Sequence, residues 1–146
     1  MKVFEVIKDY CFQQGLPTPE QEQGVIVEML LSAQPVALEY LPEAQALFLR
    51  APLAIADLQQ ADLAALYHRL LAANLLGSQF NGAWFAINDE DESIELQLRL
   101  DEALVSSPDV IDKAVAQLYG GICKAAETLQ TKGSETGAVP QGLLKA

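Results

Sequence analysis

The sequence predicts an α+β domain in which helices pack on one antiparallel sheet of five strands. Apolar residues step by three and four in three stretches and form short runs or alternate by two in five others. Their order is helix, three strands, helix, two strands, helix. The length, 146 residues, suits one domain that buries a core without metal or disulfide. That domain is read as residues 1–131. Residues 132–146 turn to Gly, Ser, Thr and Pro and are expected to form a flexible tail.

Taken in order, Val3, Phe4, Ile7, Tyr10 and Cys11 mark the first helix, and Gly15 ends it with Pro17 and Pro19 beyond. Apolar runs at 24–31, 35–41 and 46–53 are separated at hairpin length by residues 32–35 and 42–44. Asp57 with Gln60 makes a capping-box start for the central helix. Leu63, Leu66, Tyr67, Leu70 and Asn74 share one of its faces. Leu71, Leu75 and several alanines widen that face, so the helix should be covered from two sides, and Gly77 should stop it.

The period then switches to two. Phe85 and Ile87 oppose Trp84 and Ala86, and Ile94, Leu96, Leu98 and Leu100 alternate with Glu95, Gln97, Arg99 and Asp101. Residues 88–93 form the polar turn between them. Ser107-Pro108 opens the last helix, whose apolar residues Ile111, Val115, Leu118, Ile122, Ala125 and Leu129 step by four and three. Gly120-Gly121 costs that helix about 1 kcal/mol per glycine relative to alanine. Close packing against a neighbour would compensate; a kink is equally allowed.

The first three strands are apolar on both faces. Val25, Val27 and Met29 align with Val36, Leu38 and Tyr40, yet the alternate positions hold Ile26, Leu30, Ala37, Leu41 and Phe48. Only Glu28, Glu39 and Arg50 interrupt them. Antiparallel sheets in small domains usually keep one wet face, so the surplus is either covered by the domain's own helices or left to receive a partner. For the face as a whole, reception is the better reading.

Twenty acidic against nine basic residues give a formal charge of −11, which argues against nucleic acid and anionic membranes as partners. No run reaches the roughly eighteen apolar residues of a membrane span, and the start of the chain lacks a signal-peptide core. Cys11 and Cys123 lie on apolar helical faces and read as buried free thiols. His68 is the only histidine and has no ligand or triad partner at a recognisable spacing. The acidic run 89–92 lacks the glycine and distant glutamate of a calcium loop and reads as a solvated turn. No nucleotide, hydrolase or zinc motif occurs, so neither enzyme activity nor a cofactor is expected.

With these elements in place, the chain resembles class I type III secretion chaperones, the Tir-chaperone family. The likeness rests on Leu70, Leu71, Ala73, Asn74 and Leu75, then Gly82, the polar turn at Asp89, and Ile94, Leu96 and Leu100. It covers roughly residues 1–130. It implies a homodimeric chaperone of the bacterial cytoplasm that holds the N-terminal segment of a secreted effector extended and secretion-competent. Such a chaperone presents its client to the secretion machinery, which leaves the secretion ATPase as a further partner. A dimer of the same fold without a secreted client, or a small-ligand binder, is the alternative. The dimer is expected to join through Leu70, Leu71, Leu75, Phe80 and Trp84. The effector is expected over Val3, Phe4, Ile7, Val25, Val27, Met29, Val36, Leu38, Tyr40 and Leu47.

Overall fold

A computed structural model describes residues 2–53, 63–75 and 80–127. Its elements follow the expected order: α1 (Val3–Gln14), β1 (Ile26–Leu31), β2 (Gln34–Leu41), β3 (Ala46–Pro52), α2 (Leu63–Ala73), β4 (Trp84–Asn88), β5 (Ser93–Asp101) and α3 (Pro108–Ala125). The five strands are antiparallel throughout, in the order β1-β2-β3-β5-β4. The expected capping box at Asp57 and Gln60, the stop at Gly77, Leu129 and the tail from residue 132 lie outside the described residues.

Local signals act where the sequence places them. Gly15 adopts the left-handed conformation at φ 69°, and Leu16 N–H closes the end of α1 on Cys11 C=O at 2.9 Å. Ser32 and Ala33 both take positive φ, 48° and 70°, which gives β1 and β2 a two-residue turn matched to strand twist. Pro108 occupies the first turn of α3 after Ser107.

One face of the sheet makes the core. Val27, Leu38, Leu47, Leu49, Leu96 and Leu98 lie there, and α1 and α3 cover them with Val6, Ile7, Tyr10, Ile111, Leu118 and Ile122. Most of the residues expected to receive the effector lie beneath these helices. Val3, Ile7, Val25, Val27, Val36, Leu38, Tyr40 and Leu47 are no more than 5 % exposed, and Phe4 and Met29 are partly buried against the same core. The alternation in the sequence separates the same two faces that the register shows. Which of them the helices cover is not written in the strands, because both are apolar. The reading of both thiols as buried is corrected: Cys123 is exposed on α3, whereas Cys11 is buried.

The glycine pair has a packing cause. A Cβ on Gly121 would stand 2.8 Å from Phe80 O, and one on Gly120 would stand 2.6 Å from Asn81 Nδ2. The segment entering β4 therefore lies directly on α3. Gln117 Nε2 donates to Asn81 O, and Lys124 Nζ donates to Asn81 Oδ1 at 2.7 Å. Gly121→Ala should destabilise the fold by about 1–3 kcal/mol despite alanine's better helix propensity. Urea unfolding checks this; a gain in stability would contradict the close approach.

Candidate partner-binding surface

Opposite the core, the sheet has a face that no described helix covers. The register sets Glu28, Ala37, Arg50, Gln97 and Trp84 in one row across it, with Ile26, Glu39, Phe48 and Arg99 in the next. Ile26 and Leu30 are 53 % and 71 % exposed at its margin. A hollow of about 450 Å³ opens there, lined in part by Ile26, Glu28, Leu30, Arg50, Glu90 and Glu95.

The centre of this face is polar and tightly bonded. Arg50 Nε and Nη2 donate to the two oxygens of Glu95, both at 2.9 Å, and Nη1 donates to Glu39. Asn88 Nδ2 and Gln97 Nε2 complete the Glu95 carboxylate at 3.1 and 3.0 Å. Burial, the largest influence on Glu95, pushes its pKa up. The bonds from Arg50, Gln97 and Asn88 together outweigh it and hold the carboxyl below the ordinary glutamate range. Glu95 alternates with the apolar residues of β5, yet it is only 4 % exposed. The glutamates and the arginine that interrupt apolar strands were the available signal for this network.

The two edges of the sheet differ. Tyr40 N–H donates to Val25 O at 3.1 Å, which makes their pair a hydrogen-bonded one. Alternation then turns the backbone groups of Ile26, Glu28 and Leu30 away from β2, toward the outer edge. Pro35, which has no N–H, stands opposite Leu30 at such a non-bonded position. No further strand pairs with β1 among the described residues. At the other margin, Asn74 just beyond α2 closes β4. Its Oδ1 accepts from Phe85 N–H at 2.6 Å, and its Nδ2 donates to Phe85 O at 3.0 Å. The side-chain amide thus stands in for a neighbouring strand's peptide.

Beside that clamp, α2 carries exposed Leu63 and Leu71, and Leu75 follows just beyond its end; the last two are 71 % and 72 % exposed. An apolar hollow of about 320 Å³ lies between α2 and β4, lined by Tyr67, Leu70, Leu71, Asn74, Phe85 and Ile87 among others. Of the expected dimer residues, Leu71 and Leu75 are open. Leu70 and Phe80 are buried in the chain's own core, Phe80 edge-on to Phe85 with ring centroids 4.9 Å apart. Trp84 is partly buried and alternates onto the open face with Gln97.

His68 is exposed, and in the acidic turn Asn88 and Asp91 accept from the backbone N–H groups of Glu90 and Ser93. No group of His, Cys, Asp and Glu suited to a metal occurs among the described residues, and no described helix is long and apolar enough to cross a membrane.

The sequence model of the Tir chaperone protein (CesT) family matches residues 7–117, which takes in every element except the beginning of α1 and the end of α3. The chain belongs to the Tir chaperone protein (CesT) family. No curated protein sequence matches it. Among solved structures, the ExsC-ExsE complex contains a chain similar at TM-score 0.69 and 17% identity, over 88% of this chain and 93% of that one. A chain of the heterodimeric ExoU-SpcU complex from the type III secretion system of Pseudomonas aeruginosa is similar at TM-score 0.60 and 17% identity, over 86% of this chain and 98% of that one. The Yersinia pestis type III secretion chaperone SycH, in complex with a fragment of YscM2, gives TM-score 0.57 and 16% identity, over 83% and 97%. These likenesses show that the fold persists at low identity. Spacing of apolar residues, more than shared chemical groups, is what such a fold needs.

Asn74→Ala would leave the amide and carbonyl of Phe85 without their partner, so unfolding should become easier by about 1–3 kcal/mol. Leaving the edge open in that variant should also promote self-association, which light scattering would detect. A second expectation concerns acid. The depressed Glu95 pKa contributes stability that is present above the ordinary glutamate pKa and lost as pH falls through the folded value. Glu95→Gln should flatten that part of the stability-pH curve. An unchanged acid limb would mean that other carboxylates control it.

Proposed function

We propose that this chain is a type III secretion chaperone that binds the N-terminal segment of an effector in extended form and keeps it competent for export. Family membership supports the class of function. The observation that carries the mode of binding is the β1 edge, where outward-facing backbone groups at Ile26, Glu28 and Leu30 coincide with exposed apolar side chains. An edge so built invites strand pairing unless something blunts it. An extended client would bond to that edge through its main chain and lay apolar side chains beside Ile26 and Leu30. The client site therefore moves from the face expected from sequence to the opposite face and its margin.

A homodimer forms in this reading through α2 and the neighbourhood of β4, where Leu63, Leu71 and Leu75 would otherwise remain in water. The protein works in the bacterial cytoplasm, delivers its client to the secretion machinery and its ATPase, and carries out no catalysis of its own.

Sedimentation at low micromolar concentration should give twice the 15.8 kDa chain mass, and Leu71→Glu with Leu75→Glu should give the monomer. Purification from the native cell should bring down a secreted protein bound through its N-terminal segment. Ile26→Asp with Leu30→Asp should release that client without dissociating the dimer. A client retained at full affinity by the folded double variant would rule out the β1 edge.

A further inference from the structure

The row in which Glu28 stands constrains the charge of whatever pairs with β1. Its neighbour on β2 is Ala37, which offers no charge, and the next residue in the row is Arg50. Arg50 is already bonded to both Glu95 and Glu39. No cation reaches the Glu28 carboxylate among the described residues, and Glu28 is exposed between the exposed apolar side chains of Ile26 and Leu30. Resting on the reading of β1 as the client's edge, we infer that the client segment places a lysine or arginine opposite Glu28, with apolar residues two positions away on either side.

The geometry of strand addition sets this pattern. An added strand, whichever way it runs, points alternate side chains onto the open face, and residues directly opposite have Cβ atoms about 4.5–5.5 Å apart. The side chains beside Ile26 and Leu30 bury surface only if they are apolar. The one beside Glu28 meets an uncompensated carboxylate on a chain of formal charge −11, so an acidic residue there is repelled and a basic one held. The intervening client residues turn to the other face, next to Val27 and Met29, which are buried and partly buried. They are apolar as well. Glu28 therefore acts as a specificity residue: it selects one basic position inside an otherwise apolar extended segment.

The test uses three acetylated, fluorescently labelled nine-residue peptides that differ only in a central Lys, Gln or Glu. Each has Val on either side of the centre and Leu two positions away. Anisotropy titrations at low salt measure their binding to the full-length protein, to Glu28→Gln and to Glu28→Lys. The wild type should prefer the Lys peptide over the Glu peptide by about fivefold, with Gln between. Glu28→Gln should remove most of that preference, and Glu28→Lys should reverse it. Added salt at about 0.5 M should shrink the difference in every case. Equal binding of the three peptides by wild type, or a Lys preference that survives Glu28→Lys, overturns the charge inference and leaves the β1 edge in place. Failure of all three peptides to bind overturns the edge reading together with it.

Discussion

Five strands share one sheet, and the described helices α1 and α3 cover only one of its faces. The rest of the structure depends on that imbalance. The covered face and the helices on it share the large side chains that are completely buried, among them Leu38, Leu47, Leu49 and Leu96 on the sheet and Ile7, Tyr10, Ile111 and Leu118 on the helices. The other face must remain stable in water with Ile26, Leu30, Phe48 and Trp84 on it. Arg50, bonded to Glu39 and Glu95 at the middle of that face, lets it do so. A bidentate pair with its remaining acceptors filled is stable at low exposure, where a lone carboxylate would take up a proton.

The same economy of cover makes the two margins of the sheet unlike each other. At β4 the side chain of Asn74 supplies the donor and acceptor that a sixth strand would have supplied, and α2 stands alongside. At β1 the outward groups have no such partner among the described residues. A sheet closed on one side and open on the other has a direction in which it can be extended. In the reading proposed above, that direction is where an unfolded segment would gain main-chain bonds without a demand on its exact sequence.

Much of this was legible in the residues. The order of elements, the turn at residues 88–93, the end of α1 at Gly15 and the start of α3 at Ser107-Pro108 follow from period and cap chemistry, which act locally. The sidedness of the sheet was not legible. Val27 and Ile26 are equally apolar, and only the position of α1 and α3 decides that the first is core and the second surface. Phe80 and Leu70, buried in the chain's own core, illustrate a related limit: an apolar residue does not reveal whether its own chain or a second copy covers it. Asn74 was readable in part. An amide on a buried helical face requires partners, but the sequence does not say that Phe85 provides both. The choice between close packing and a kink at Gly120-Gly121 likewise needed the position of Phe80 and Asn81.

The central claim, that β1 is the edge extended by a client, is tested most directly by amide hydrogen exchange read residue by residue. In the free protein the N–H groups of Ile26, Glu28 and Leu30 should exchange quickly, while those of Val27 and Met29, bonded to β2, should be protected. With a client bound, the first three should slow by at least an order of magnitude, roughly 1.4 kcal/mol of added protection, and Phe85 at the Asn74 clamp should not change. Slow exchange at Ile26, Glu28 and Leu30 before any client is added, or rates that a bound client leaves untouched, would contradict the account.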